Sequence, residues 1–432
     1  MNRLSILLAG VLACLTTEVS AEKLVKYVNP LVGTAGFGNV YPGAQVPFGG
    51  IQISPDTDDY DYDTASGYNY PKPTIMGFSL THLSGTGIPD LGDFLFVPGT
   101  GTVKSATGTD EDPDSGYRSR FRHETESASP GYYAVNLDDY GTRAELTAEE
   151  RSGVLRFTFP ACDSSFVMVD LGHTLRFKCV WSSVRLVDEY TIVGSKTVDG
   201  WNPDRHVHFA ARFSRPIKDF LILEEGKPVI YNTSRFRSSR EAWGTGLQAC
   251  VMFPTAEGEQ VDVKVAVSAT GTDGALRNLA ELDGKDFDTV RAEAEALWET
   301  ELSRYELDPS CSLDAKETFY TCVYHTALHP FLFQDVDGRF RAHDGTIGQA
   351  EGFTNYTTFS LWEHLPRLPS PAEPRQQAPA GGPRELDAGA LRQERGKDAA
   401  HLVVLRRRNL VHDRLPRRLR PRRHDGKGRA RL

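Results

Sequence analysis

The chain has 432 residues, 39% hydrophobic and 10% aromatic, which allows two or three domains with sizeable cores and is ordinary for a globular protein. Its formal charge of −9 joins two unlike pieces: residues 1–363 carry 31 Lys and Arg against 51 Asp and Glu and hold all 43 aromatic residues, whereas residues 364–432 carry 18 against 7 and no aromatic residue. The acidic body argues against a nucleic-acid groove, which needs a concentrated basic face, and no apolar run reaches the roughly 20 residues that span a bilayer as a helix.

In chain order, the first element is an apolar run at 4–15 (LSILLAGVLACL), after Arg3 and before the small-residue pattern Val19-Ser20-Ala21. This is the pattern of a secretory signal peptide over residues 1–21, with the mature chain expected from Glu22 in a secreted or periplasmic location. A competing reading takes Cys14 as a lipid-modified N-terminus. The remaining cysteines, Cys162, Cys179, Cys250, Cys311 and Cys322, form no C-x-x-C pair. They read as buried thiols with room for one bridge, not as a metal cluster.

Residues 22–275 read as a β-sandwich. Segments 132–137 (YYAVNL), 144–148 (AELTA), 154–159 (VLRFTF), 166–171 (FVMVDL), 206–213 (HVHFAARF) and 261–267 (VDVKVAV) are short, rich in β-branched and aromatic residues, and separated by Gly, Asp, Asn and Ser turns. Many short strands at this spacing predict two packed antiparallel sheets.

At Phe287 the period changes. Val290, Ala294, Leu297, Trp298, Leu302 and Tyr305 recur at helical spacing over 287–307, with Asp286 or Asp288 as the N-cap. A second helix is expected over 315–329, stopped by Pro330. Residues 335–359, rich in Gly, Asp and Thr, read as an ordered loop or hairpin before Ser360-Leu361-Trp362 opens another helix.

The most chemically suggestive segment is His82-Leu83-Ser84-Gly85-Thr86-Gly87, followed by Asp90, Gly92 and Asp93. Glycines let backbone approach a ligand, and His, Ser, Thr and Asp supply donors and acceptors suited to a polar ligand. His82, Ser84, Gly85, Thr86, Gly87 and Asp90 are therefore candidate substrate-binding residues, set against a tight self-bonded loop as the plainer reading. Trp362 is a candidate stacking platform, although a lone Trp is more often core. His206 and His208, two apart on one strand, lack a third ligand and read as paired surface histidines. The Asp-rich stretch 56–63 lacks the order of a calcium loop and reads as a solvated turn.

Five passages together resemble glycoside hydrolase family 92, secreted calcium-dependent exo-α-mannosidases: VNPLVGTAGFGNVYPGAQVPFGGIQISPDT (28–57), GYNY (67–70), GFSLTHLSGTGIPDLGDFLFVP (77–98), GYYAVNLDDYGTRAELTAEERSGVLRFTFP (131–160) and DVDGRFRAHDG with QAEGFTNYTTFSLW (335–362). The resemblance covers about residues 24–363. It implies a mainly β fold in which an N-terminal β-sandwich (22–275) precedes a linker helix and the first helices of an incomplete (α/α)6 barrel (286–363). It also implies inverting removal of terminal α-mannose from glycans, with Ca2+ as cofactor held mostly by the barrel. Inverting glycosidases use two carboxyl groups on opposite faces of the sugar. In the family these lie in downstream motifs resembling G-N-E-P-S and G-D-E-D-x-G-Q-M-S, and neither occurs in this sequence. The implied reading is a truncated relative, inactive alone. The alternatives are a non-catalytic carbohydrate-binding module and an enzyme completed by a partner chain that carries the barrel.

The basic tail at 364–432 follows the seam Trp362–Glu363. Removing one base from the Glu363 codon permits Asp-Thr-Tyr-Arg-Ala-Ser-His-Pro-Leu, close to the continuation that the resemblance implies. The tail is thus read as out of frame and, being charged and poor in hydrophobic residues, disordered. Glu363, a product of that shift, is not counted among the site residues.

Overall fold

A computed structural model describes residues 22–59, 62–229 and 240–358. The proposed signal peptide, Cys14, Trp362, the seam and the basic tail lie outside the described residues. Within them the fold is mainly β, as the alternation predicts. A seven-stranded sheet has the order Ser54–Asp56, Gly77–Ser79, Leu95–Thr100, Cys162–Asp170, Leu247–Thr255, Asp219–Glu224, Lys227–Pro228. A nine-stranded sheet runs Glu241–Gly244, Lys178–Leu186, Thr191–Asp199, Arg205–Phe213, Glu259–Ser268, Ser152–Phe159, Thr142–Ala148, Tyr132–Leu137, Ser127–Ser129.

The period of two decides which side chains meet between the sheets. Val261 faces Phe157 and Val263 faces Leu155 across one antiparallel pair, and all four are fully buried in the central core with Phe78, Phe96 and Val169. Between them Arg156 points outward and pairs with Asp262 at 2.8 Å. Burying one such aromatic ring contributes about 1.5–3 kcal/mol.

The outer face of the larger sheet is covered by helices. Helix α1, Thr272–Leu279, sets Ala275 and Leu279 on Val193, Ala210 and Ala266. Helix α2, Phe287–Leu302, is capped by Asp286, whose carboxylate accepts from the Thr289 amide at 2.8 Å. It places Phe287 and Val290 on Tyr132 and Val154. Helix α3, Leu313–Thr326, packs Tyr320, Val323 and Tyr324 with Trp298, Leu302, Tyr27 and Tyr41.

Helix α2 begins at Phe287 as expected, α3 begins two residues before the expected 315, and both end earlier than expected. α2 stops at Leu302, not 307, and α3 at Thr326, not 329. Past α3, Gln45 takes the Leu328 carbonyl at 2.9 Å and the Phe48 amide takes that of Ala327 at 2.8 Å, so tertiary partners replace helical ones. Helix α1 is missing from the sequence reading. Segment 335–358 forms the short pairs Arg339–Arg341 with Ile347–Gln349 and Phe331–Leu332 with Tyr356–Thr357. Buried Asp335 ties it to the sandwich by accepting from Ser268 and Asn278, both at 2.9 Å. The five described cysteines are free thiols, Cys179 and Cys250 buried; burial pushes the Cys250 thiol up to about 12.

Candidate functional site

Several loops converge beside α3. Gly33 lies against His325 of α3, the Tyr70 amide donates to the Thr34 carbonyl at 3.0 Å, and the Gly85 amide donates to the Asn39 carbonyl at 2.7 Å. Gly85 sits at φ +72°, a left-handed conformation that glycine adopts without steric cost. The first bond joins loop 33–39 to segment 67–70, and the second joins it to loop 82–90.

The structure divides the candidate residues into two layers. Ser84, Gly85, Thr86 and Gly87 lie at the surface, partly or fully exposed. His82 and Asp90 lie beneath them, 0% and 5% exposed. The His82 Nδ1 meets the Gln52 carbonyl at 2.8 Å, and its Nε2 meets Asp56 Oδ1 at 2.8 Å and Ser79 Oγ at 3.0 Å. Asp90 accepts from the Leu91 amide at 2.7 Å and the Trp201 amide at 3.0 Å. Both side chains are thus engaged in holding the loop. Trp362 lies outside the described residues.

Asp56 is the centre of the lower layer. Its second oxygen meets His173 Nε2 at 2.8 Å, so one buried carboxylate bridges two imidazoles. Burial alone would raise its pKa, but the charges and hydrogen bonds of His82 and His173 outweigh burial and hold it well below the usual carboxylate range. For His173 the sign is opposite: burial disfavours the imidazolium, yet the hydrogen bond and charge of Asp56 raise its pKa above the ordinary value. The expectation of a solvated turn at 56–63 fails at its first residue, because Asp56 lies on a buried strand end whose environment is set by residues far along the chain.

A second buried pair lies beside it. Asp93 receives Arg205 through two bonds, of 2.6 and 3.0 Å, Lys196 at 3.0 Å and Thr81 Oγ1 at 2.7 Å. Burial opposes its charge, but Arg205 and Lys196 outweigh burial and depress its pKa. Between the two pairs, Leu91 and Phe94 adopt φ of +72° and +59°. Bulky residues in this region cost about 1–3 kcal/mol each and persist where surrounding structure fixes them, a pattern that clusters at functional sites. Here the Leu91 carbonyl accepts from Leu175 at 3.0 Å and the Gly92 amide donates to Thr81 at 2.8 Å.

Asp56, His173, Lys196 and Arg205 escaped the sequence reading. Their partners stand 26–117 residues away, and no local pattern marks them. His206 and His208 each meet a neighbouring strand, at Thr197 (3.0 Å) and Ser195 (2.6 Å), and His208 is more buried than a paired surface histidine, which pushes its pKa down to about 4. Among the described residues no group of three or more His, Cys, Asp and Glu side chains is placed to hold a metal ion. The nearest carboxylates, Asp56, Asp90 and Asp93, already have their oxygens bonded within the protein. Among the described residues these three carboxylates do not fit a calcium cage. No described helix is long and apolar enough to cross a membrane.

Comparison with known proteins aligns nearly all of this framework. The profile of the glycosyl hydrolase family 92 N-terminal domain matches residues 27–268, and that of the family 92 catalytic domain matches 274–365. The structure of the family GH92 alpha-mannosidase BT3965 from Bacteroides thetaiotaomicron, in complex with mannoimidazole, superposes with a TM-score of 0.77 at 61% identity, covering 79% of this chain and 45% of that one. The GH92 family glycosyl hydrolase ccman5 gives a TM-score of 0.69 at 29% identity, covering 78% and 45%. An uncharacterized secreted glycosidase of Arthroderma benhamiae is 26% identical over 358 residues, 77% of this chain and 45% of that protein. The chain thus spans less than half the length of each of these relatives.

Proposed function

Because the chain belongs to glycoside hydrolase family 92, we propose that it supplies one wall of a site that removes terminal α-mannose from glycans with inversion at the anomeric carbon. The observation that carries this reading is the 61% identity to an α-mannosidase over 79% of the chain. The hydroxyls of Ser84 and Thr86 and the backbone of Gly85 and Gly87 face the sugar, hydrogen bonding its hydroxyls. His82 and Asp90 act from below, fixing the loop so that its donors need not be ordered when the sugar arrives.

The acid and base are assigned elsewhere. A general acid must be protonated when it meets the leaving oxygen. Asp56 and Asp93 are held ionised by cationic neighbours and are buried, which unfits them for that role. The resemblance puts the two carboxyl groups and the calcium ligands in motifs like G-N-E-P-S and G-D-E-D-x-G-Q-M-S, which residues 1–432 do not contain, so this reading expects no mannoside turnover from these residues alone. Calcium, when bound in a complete enzyme, would orient sugar hydroxyls.

Saturation-transfer NMR with α-1,2-mannobiose tests the loop assignment. Transfer to the sugar is expected with the 432-residue chain and should fall strongly in the Ser84→Ala/Thr86→Ala double variant. Equal transfer in both would remove these hydroxyls from the site.

A further inference from the structure

The outer face of the larger sheet carries a second patch that α1 and α2 leave open. On the strand Lys178–Leu186 the register against Thr191–Asp199 slips: Cys179 pairs with Val198 and Trp181 with Thr197, leaving Val180 as an extra residue. A bulge of this kind kinks the strand and re-aims its side chains. Cys179 and Ser182 are buried, whereas Val180 and Trp181 are 49% and 40% exposed. Ser183, the next outward residue, pairs with Trp243 of the edge strand Glu241–Gly244. Trp181 and Trp243 are therefore diagonal neighbours on one face, a separation that large aromatic side chains can span. On the other side Trp181 faces Thr197, which faces His206, with Thr197 Oγ1 and His206 Nδ1 3.0 Å apart.

We propose that this patch is a carbohydrate-binding site separate from the loop cluster, taking a neutral hexose oligosaccharide with Trp181 as its stacking platform. A pyranose presents an apolar C–H face rimmed by hydroxyls. The patch presents the complement, an indole ring beside the hydroxyls of Ser183 and Thr197 and the imidazole of His206. Among the described residues Ser183, Thr197, Trp181 and Trp243 carry no formal charge, and Arg185 stands opposite Glu241 across the two strands. Area points the same way. A Trp presents about 250 Å² at most, so 40% exposure offers roughly 100 Å². That matches the face of one sugar ring.

The test is calorimetric titration of the 432-residue protein with linear α-mannohexaose, in the Ser84→Ala/Thr86→Ala background so that the fate of the loop reading does not enter. Saturable binding is expected, weakened about tenfold or more by Trp181→Ala, retained within a few-fold by Trp181→Tyr, and weakened by Thr197→Val. Trp181→Tyr keeps an aromatic ring and so guards against a mere folding defect. Absence of binding in the background protein would overturn the proposal. So would an affinity indifferent to Trp181→Ala, or self-association abolished by that substitution, which would assign the patch to a second copy of the chain.

Discussion

Asp56 and His173 stand 117 residues apart in sequence and meet Oδ2 to Nε2 at 2.8 Å, both buried beneath the loop cluster. The other oxygen of the same carboxylate holds His82, which opens the segment carrying Ser84 and Thr86. The surface loop is thus anchored through a charge that solvent does not reach.

Asp56→Ala should therefore be costly. Breaking a buried pair by removing one partner typically costs about 3–5 kcal/mol, because the remaining partner stays desolvated and uncompensated. Urea unfolding of wild type and variant gives the difference directly; a loss below about 1 kcal/mol would mean that the network is not closed in solution.

The same network sets a pH window. The Asp56 pKa is lowered on folding, so its contribution is present above the unfolded value of about 3.9 and is lost as pH falls through the folded value. The His173 pKa is raised, so its contribution is present below about 6.5 and is lost as pH rises through the folded value. Thermal melts across pH should show this increment largest between about 4 and 6.5. Asp56→Asn should flatten both flanks; an unchanged profile would contradict the assignment.

Gly67→Ala tests the packing around that carboxylate. Gly67 sits at φ +87°, and a Cβ there would lie 2.0 Å from Asp56 Oδ1. Both the left-handed backbone and the displaced carboxylate oppose the methyl, so destabilisation of more than about 1 kcal/mol is expected in urea unfolding.

Arg205→Lys addresses the neighbouring pair. Arg205 grips Asp93 through two bonds, and an ammonium cannot reproduce that planar fork. The variant should lose about 1–3 kcal/mol despite keeping its charge, by the same measurement.

What the sequence disclosed follows from the range of the forces involved. Alternation along 154–159 and 261–267 exposes the buried faces of two central strands because the period of two is local. Helix α1 follows Gly271 and contains Gly274, and glycine weakens the local helical signal. Yet Gly274 sits inside the helix because a Cβ there would lie 2.4 Å from Asp335 Oδ2. Its reason is tertiary. The surface loop Ser84–Gly87 was legible as composition, whereas the Asp56, His173, Lys196 and Arg205 network beneath it depends on contacts that no window of the sequence contains.

In the proposed function this chain forms one wall of a mannosidase site and leaves the acid, the base and the calcium ligands to a barrel half. This is tested most directly by incubating the purified 432-residue protein with α-1,2-mannobiose, with added calcium and with chelator, and following mannose release. No release above background is expected in either condition. Release that depends on calcium would contradict it, because the chain would then hold a complete catalytic site.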